Sequence, residues 1–184
     1  MSLPFSRDIY SVRPRAGLLG LMFRSYAIHD IRSVPPGEHY AFSRQTGELR
    51  NELDGVAIAH LKDGERTSLL GPRVHTVGDP ATGLDLGALV LRGRDWEIRG
   101  AAGDLLTVVR FVRASSLFGS FVAHIGDDEV CRFTWGTQGW TAFSAELLVE
   151  FRPALGTRVD RRLLLTLAPL LERQARGYGE RADS

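Results

Sequence analysis

The residues of this chain that could bind a metal, carry a nucleophile or hold an anion are few and widely spaced. Five histidines, His29, His39, His60, His75 and His124, stand singly, with no H-E-x-x-H and no carboxylate at a recognisable ligand spacing. His29 with Asp30, or His75 with Asp79, would form a metal site only if the fold brought another strand to them, so no metal and no other cofactor is expected. Ser115, Ser116, Ser120 and Ser144 lie outside any G-x-S-x-G elbow. Cys131 is the only cysteine, which excludes an intramolecular disulfide and a thiolate cluster within one chain. Its expected role between Val130 and Arg132 is that of a small buried apolar side chain, and Arg132 would lower the thiol pKa only if both were exposed. The glycine-bounded run from Gly64 to Gly71 lacks the G-K-[ST] ending of a P-loop, and no dinucleotide-binding fingerprint occurs. No catalytic residue is assigned.

Anion binding is the remaining chemistry. Lys62 is the only lysine among 23 basic residues, and arginine's planar fork of donors suits carboxylates and phosphates. The same usage, rich in Ala, Gly, Leu and Arg, also looks like a G+C-rich bacterial coding bias. The formal charge of +1 leaves no field of the kind that announces a nucleic-acid binder, so an anion site must be local. The densest group is Arg92, Arg94, Arg110 and Arg113, on a hairpin turning near Ala102-Gly103. A two-residue loop would set Arg92 opposite Arg113 and Asp95 opposite Arg110, whereas a glycine bulge would set Arg94 opposite Arg110. Either register faces two like charges, which asks for a carboxylate or a bound anion between them. Pairing with Asp95, Glu97, Asp127 and Asp128 in a surface lattice is the alternative.

The elements that must position these residues are short. From Leu18 to Phe151 turn-forming sequences such as Thr46-Gly47, Asp63-Gly64, Gly78-Asp79-Pro80, Ala102-Gly103 and Gly126-Asp127-Asp128 cut the chain every eight to twelve residues. That rhythm predicts an antiparallel sandwich or barrel. In Trp140 to Phe151, Thr141, Phe143, Ala145, Leu147, Val149 and Phe151 share one face, opposed by Ser144, Glu146 and Glu150, so one side meets the core and the other water. Trp96 and Ile98 alternate in the same way with Asp95, Glu97 and Arg99. Leu105 to Val112 and Phe118 to Ile125 read as strands covered on both faces. Phe23 to Ile31, His39 to Arg44, Val56 to Lys62 and Ser68 to Val77 are further expected strands, and Asp79 to Gly87 is expected to be a loop.

After Gly156 the texture changes. A helix is expected over 160–176, with Asp160 as its N-cap and Arg173 and Arg176 near its C-terminus, followed by a polar tail over 177–184. Leu163, Leu164 and Leu165 sweep about 200° of the helical wheel, and Leu167, Ala168, Leu170 and Leu171 fill most of the rest, so the helix needs cover on nearly every side. The apolar stretch is about 13 Å long, too short for a bilayer. The interior of a closed β-barrel would cover it all round; the alternative is a helix lying on one face of an open sheet. Pro169 should kink or loosen the helix near Leu165.

This order of elements resembles the tubby C-terminal-like superfamily, which includes LURP-one-related and phospholipid scramblase-like proteins. The resemblance is carried by "DWEIRGAAGDLLTVVRFVR" (Asp95 to Arg113), "FVAHIGDDEVCRFTW" (Phe121 to Trp135), "WTAFSAELLVEF" (Trp140 to Phe151) and "VDRRLLLTLAPLLE" (Val159 to Glu172). It implies a single domain over 1–184, a closed antiparallel β-barrel of about twelve strands around a buried hydrophobic C-terminal helix. It also implies a non-enzymatic binding or scaffold role, since tubby-like domains bind phosphoinositide head groups.

The expected function is therefore a binding module for an anionic phospholipid head group or a protein partner, with no nucleic acid and no transmembrane span. The alternative is a small-molecule-binding barrel, or an enzyme of unrecognised type, in which His60, His124, Tyr26 and Tyr40 converge on a pocket. A further possibility is a partner covering Trp135 and Trp140. The lone cysteine fits a reducing cytoplasm, with a location peripheral to the membrane under the lipid reading. The apolar run from Ala16 to Phe23 is interrupted by Arg24 and lacks a cleavage site, so secretion is not expected.

Overall fold

Alternation of apolar residues along short strands gives each strand one face to bury, and closing the sheet on itself buries all of those faces together. A computed structural model describes residues 8–15, 25–30, 38–62, 72–113, 118–137 and 145–182. Twelve strands form a closed barrel: β1 (Ile9–Pro14), β2 (Ser25–Asp30), β3 (His39–Ser43), β4 (Glu48–Asn51), β5 (Ala57–Lys62), β6 (Arg73–Gly78), β7 (Asp85–Arg92), β8 (Asp95–Gly100), β9 (Leu105–Arg113), β10 (Phe118–Ile125), β11 (Asp128–Thr137) and β12 (Ala145–Phe151). Each pairs antiparallel with its neighbours in sequence, and β1 closes the ring on β12 with Tyr10 opposite Val149 and Val12 opposite Leu147. A 3-10 turn (Pro153–Leu155) then leads into helix α1 (Arg161–Ala182).

The inner face can be followed around the ring by register. Tyr10, Ile28, Tyr40, Phe42, Leu49, Ala59, Val77, Leu89, Ile98, Val109, Phe121, Phe133 and Val149 are all buried there. The helix fills the space they enclose: Leu163, Leu164, Leu165, Leu167, Ala168 and Leu171 are each 0% exposed. Small residues make the room. A side chain at Gly87 would meet the Arg99 carbonyl and come within 3.3 Å of Leu163, while the Trp135 ring lies where a side chain of Gly119 would project.

Polar contacts set the position of the helix along the barrel axis. Asp160 caps it, accepting from the Arg162 backbone N–H at 2.9 Å. The Arg162 guanidinium binds Asp160 at 2.8 Å and Asp79 at 3.1 Å, and donates to the Ile58 carbonyl at 3.3 Å. Farther along, the buried Glu172 accepts from the Tyr26 hydroxyl at 3.1 Å, and Gln174 accepts from the Trp96 indole at 2.7 Å while donating to the Arg94 carbonyl at 2.9 Å.

Several expectations are corrected. The helix runs to Ala182, not to residue 176, because Gly177 and Gly179 each cost only about 1 kcal/mol in a helix already nucleated by its packed leucines. The expected loop over Asp79 to Gly87 gives way to β7 at Asp85, and β1 and β4 were not expected as strands. Full cover of the middle strands fails on β9, where Leu105 and Val112 are 54% and 47% exposed, whereas Val122 of β10 is buried. Trp140 to Ser144, Ser68 to Gly71, Ala16 to Arg24 and Gly64 to Gly71 lie outside the described residues, as do Ser115 and Ser116.

Two outcomes follow. Leu167→Ala should lower unfolding free energy by about 2–5 kcal/mol in urea titrations, through lost burial and the cavity left behind. On the outer wall, hydrogen bonds from Arg132 and then Arg152 hold the Glu129 carboxyl below its ordinary value of 4.5. Such a group stabilises the fold fully above that ordinary value and loses the contribution as pH falls through the depressed one. Glu129→Gln should therefore lower the urea midpoint at pH 7, and the gap to the parent should shrink below pH 4; a gap unchanged by pH would remove the ion pairs as its cause.

Candidate functional site

The interior of the ring is occupied by α1, and the described residues leave a cavity of about 690 Å³ at one mouth of the barrel, where the helix emerges. Strand ends, one hairpin tip and one helix turn build it. Arg44 follows β3, Lys62 ends β5, Arg73 begins β6, and Arg173 projects from the turn of α1 that leaves the barrel. His60 and His75 add two imidazoles, and Gln45, Thr46 and Gln174 add neutral polar groups. The floor is apolar, formed by Phe42, Leu61, Leu91, Trp96 and Leu170. No carboxylate lines the cavity among the described residues.

The individual groups are differently held. Lys62 forms an ion pair with Asp85 at 3.1 Å, with both side chains about half exposed. His75 is buried and packs against Trp96 with ring centroids 6.1 Å apart. Arg73 and Arg173 are exposed at the rim. The tight turn Thr46-Gly47 is fixed by a close approach, with the Gly47 carbonyl accepting from the Leu61 N–H at 2.7 Å and no space for a Cβ beside the Leu61 carbonyl. Gly47 also has φ +71°, so glycine is required there on both counts.

The four hairpin arginines are divided between the β7–β8 turn and β9. The chain turns back at Gly93-Arg94, with Gly93 at φ +64°, so Arg92 ends β7 and faces Asp95 instead of reaching Arg113. Trp96 stands opposite Val109, the strand alignment of the two-residue register, and a bulge between Ile98 and Arg99 absorbs the longer loop. Arg92 binds Glu97 at 2.6 Å and Arg99 binds the same carboxylate at 2.7 Å, an outer-wall lattice. Arg110 is exposed on β9 opposite Val122, and Arg113 stands in the same strand opposite Gly119. Arg92 and Arg94 nevertheless flank the mouth, because Gly93 between them lines the cavity. The Gly-Arg pair after an alternating run is the signal for this turn that the sequence contained.

Of the residues expected to converge on a pocket, only His60 lines this one. Tyr26 is engaged with Glu172, the Tyr40 hydroxyl donates to Glu38 at 3.1 Å, and His124 is exposed on β10. Trp135 is partly buried and stacks on Phe111 at 5.5 Å beside the core, and Trp140 lies outside the described residues. His75 and Asp79 take different partners, Trp96 and Arg162.

The histidines do not all stand singly. His29 and His39 are cross-strand partners on β2 and β3, with Nδ1 atoms 2.6 Å apart, and Glu52 lies beside them, its backbone N–H donating to the His39 carbonyl at 2.9 Å. The pairing follows from the antiparallel register of two strands separated by residues 31–38, a spacing too long to fix that register from sequence.

Cys131 is 0% exposed on the inner face opposite Phe151, and burial pushes its thiol pKa well up, with the Glu129 charge adding to the effect. Arg132 alternates to the outer wall and binds Glu129 there. Ellman's reagent should therefore leave the folded protein unlabelled and titrate one thiol after unfolding in urea; prompt labelling of the native chain would show that the interior opens at β11. No family model, curated protein or solved structure matches the chain.

Proposed function

We propose that the protein is a non-enzymatic binding module that takes an anionic, phosphorylated group in the basic mouth of its barrel, with a phosphoinositide-type head group as the leading ligand class. The observation that carries this reading is the lining of the mouth: Arg44, Lys62, Arg73 and Arg173 around one cavity, with no carboxylate among its described lining residues. Converging cations raise the local potential in a concave, partly apolar site far above what a net charge of +1 gives the whole surface. Arginine adds paired donors matched to phosphate oxygens.

The cavity volume falls in the range of small-molecule sites. Its layered character suits an amphiphilic anion, because Phe42, Leu91, Trp96 and Leu170 form a floor for carbon while the cations stand at the rim. No helix among the described residues is long and apolar enough to cross a membrane, so contact with a lipid would be made through such a rim. The tubby-like resemblance implies this architecture and this ligand class, but architecture alone carries no function, and the reading rests on the mouth. Turnover is left out because the described lining offers no carboxylate or thiol to pair with His60 or His75 as an acid, base or nucleophile.

Liposome flotation with phosphatidylcholine vesicles, alone or carrying a phosphatidylinositol bisphosphate, should recover the protein with the charged vesicles only. The double variant Arg73→Ala with Arg173→Ala should bind at least about tenfold more weakly, as expected for the loss of two charge-assisted contacts. Equal recovery with neutral vesicles, or unchanged binding by a double variant that melts like the parent, would remove the proposal. Isothermal titration with soluble inositol trisphosphate separates a head-group site from a surface that needs the bilayer.

A further inference from the structure

On the outer wall, away from the mouth, three side chains of different elements bring ligand atoms together. His29 lies on β2 directly opposite His39 on β3, and Glu52 follows β4, the next strand. One ligand atom from each lies within 4.8 Å of the other two. Both imidazoles point away from the barrel interior, since their neighbours Ile28 and Tyr40 are the ones buried inside. The rings meet edge to face, with centroids 4.8 Å apart and planes at 74°.

The two Nδ1 atoms stand 2.6 Å apart, which constrains their protons. Two imidazolium rings would set one N–H against another, so at least one ring must be neutral and present a lone pair. In the neutral pair one Nδ1 carries the shared proton and the other accepts it. Moving that proton to the same ring's Nε2 frees both Nδ1 lone pairs at no net loss of a proton, a tautomer change only.

We propose that His29, His39 and Glu52 form a binding site for a divalent transition-metal ion, zinc(II) or a close analogue, on the outer wall of the barrel. Zinc–nitrogen bonds of about 2.0–2.1 Å at a tetrahedral angle place two ligand nitrogens roughly 3.3 Å apart, so the rings separate by less than about 1 Å to admit the ion. Glu52 is exposed, and its carboxylate can close the remaining gap while leaving a fourth position to water.

Arg15 forms an ion pair with Glu52. A carboxylate has two oxygens, and holding one of them on Arg15 leaves the other for the metal, the arrangement in which an outer partner orients a ligand. The positive charges of Arg13 and Arg15 oppose the incoming ion, and the Glu52 charge offsets part of that opposition. Two imidazole nitrogens select against magnesium and calcium, which take oxygen ligands, and favour zinc, cobalt, nickel or copper.

The test uses the full chain without an affinity tag. Titration with zinc chloride, followed by calorimetry and by thermal melting, should show one ion per chain and a rise in melting temperature, because the ion binds only the folded form. Cobalt(II) should give the visible absorption of a low-coordinate nitrogen and oxygen site, and magnesium should bind negligibly. His39→Gln and, on an exposed position, Glu52→Gln should each weaken zinc binding by more than about tenfold, while His124→Gln leaves it unchanged. Glu52→Gln keeps the test decisive if His39→Gln fails to fold. Absence of zinc binding tighter than millimolar, or binding that neither variant weakens, or an equal loss in His124→Gln, would overturn the assignment.

Discussion

Every feature of this fold follows from the need to keep one leucine-coated helix dry. A helix apolar all round has no face to offer water, and a single sheet can cover only one side of it. Closing the sheet supplies the remaining sides, and the helix in turn fills an interior that twelve strands would otherwise leave hollow. The two dependences are mutual: open the β1–β12 seam and the leucines are wet; withdraw the helix and the inward row from Tyr10 to Val149 loses its partner. Each fully buried leucine contributes about 1.5–3 kcal/mol, so neither half is stable without the other.

Apolar packing is tolerant of a slide along the axis, and polar groups remove that freedom. The Arg162 contacts with Asp160, Asp79 and the Ile58 carbonyl fix one end of the helix, and the Tyr26–Glu172 and Trp96–Gln174 hydrogen bonds fix the region where it emerges. Partly buried charge pairs add little net stability, but a shifted helix would leave each of these groups unpaired. They therefore specify one arrangement more than they strengthen it. Arg173 owes its place at the mouth to them, since the turn that bears it is pinned by its neighbours Glu172 and Gln174.

Much of the fold is legible in the sequence because its governing patterns are local. Alternation in β8 and β12, turn residues at regular spacing and three consecutive leucines are each read within a dozen residues, and together they require a closed wall around a helix. What local pattern does not determine is pairing. The hairpin arginines illustrate this: a turn at Gly93-Arg94 sends Arg92 back along β7, so four residues close in sequence are divided between two hairpins. The mouth and the histidine pair are the reverse case. Arg44, Lys62, Arg73 and Arg173 come from four separate elements, and His29 meets His39 only through a strand register, so neither group has a sequence signature.

A filled barrel restricts where chemistry can occur. With the axis occupied by α1, ligands are confined to the ends and the outer wall, and polar side chains there are free to vary without disturbing the core. Against that freedom, like charges brought together at one mouth cost stability through mutual repulsion, most in a concave site with an apolar floor where water screens poorly. Asp85 offsets part of this at Lys62, while elsewhere on the wall Glu97 binds Arg92 and Arg99, and Glu129 binds Arg132 and Arg152. Under the proposed reading, a bound anion would offset part of the repulsion that these cations exert on one another.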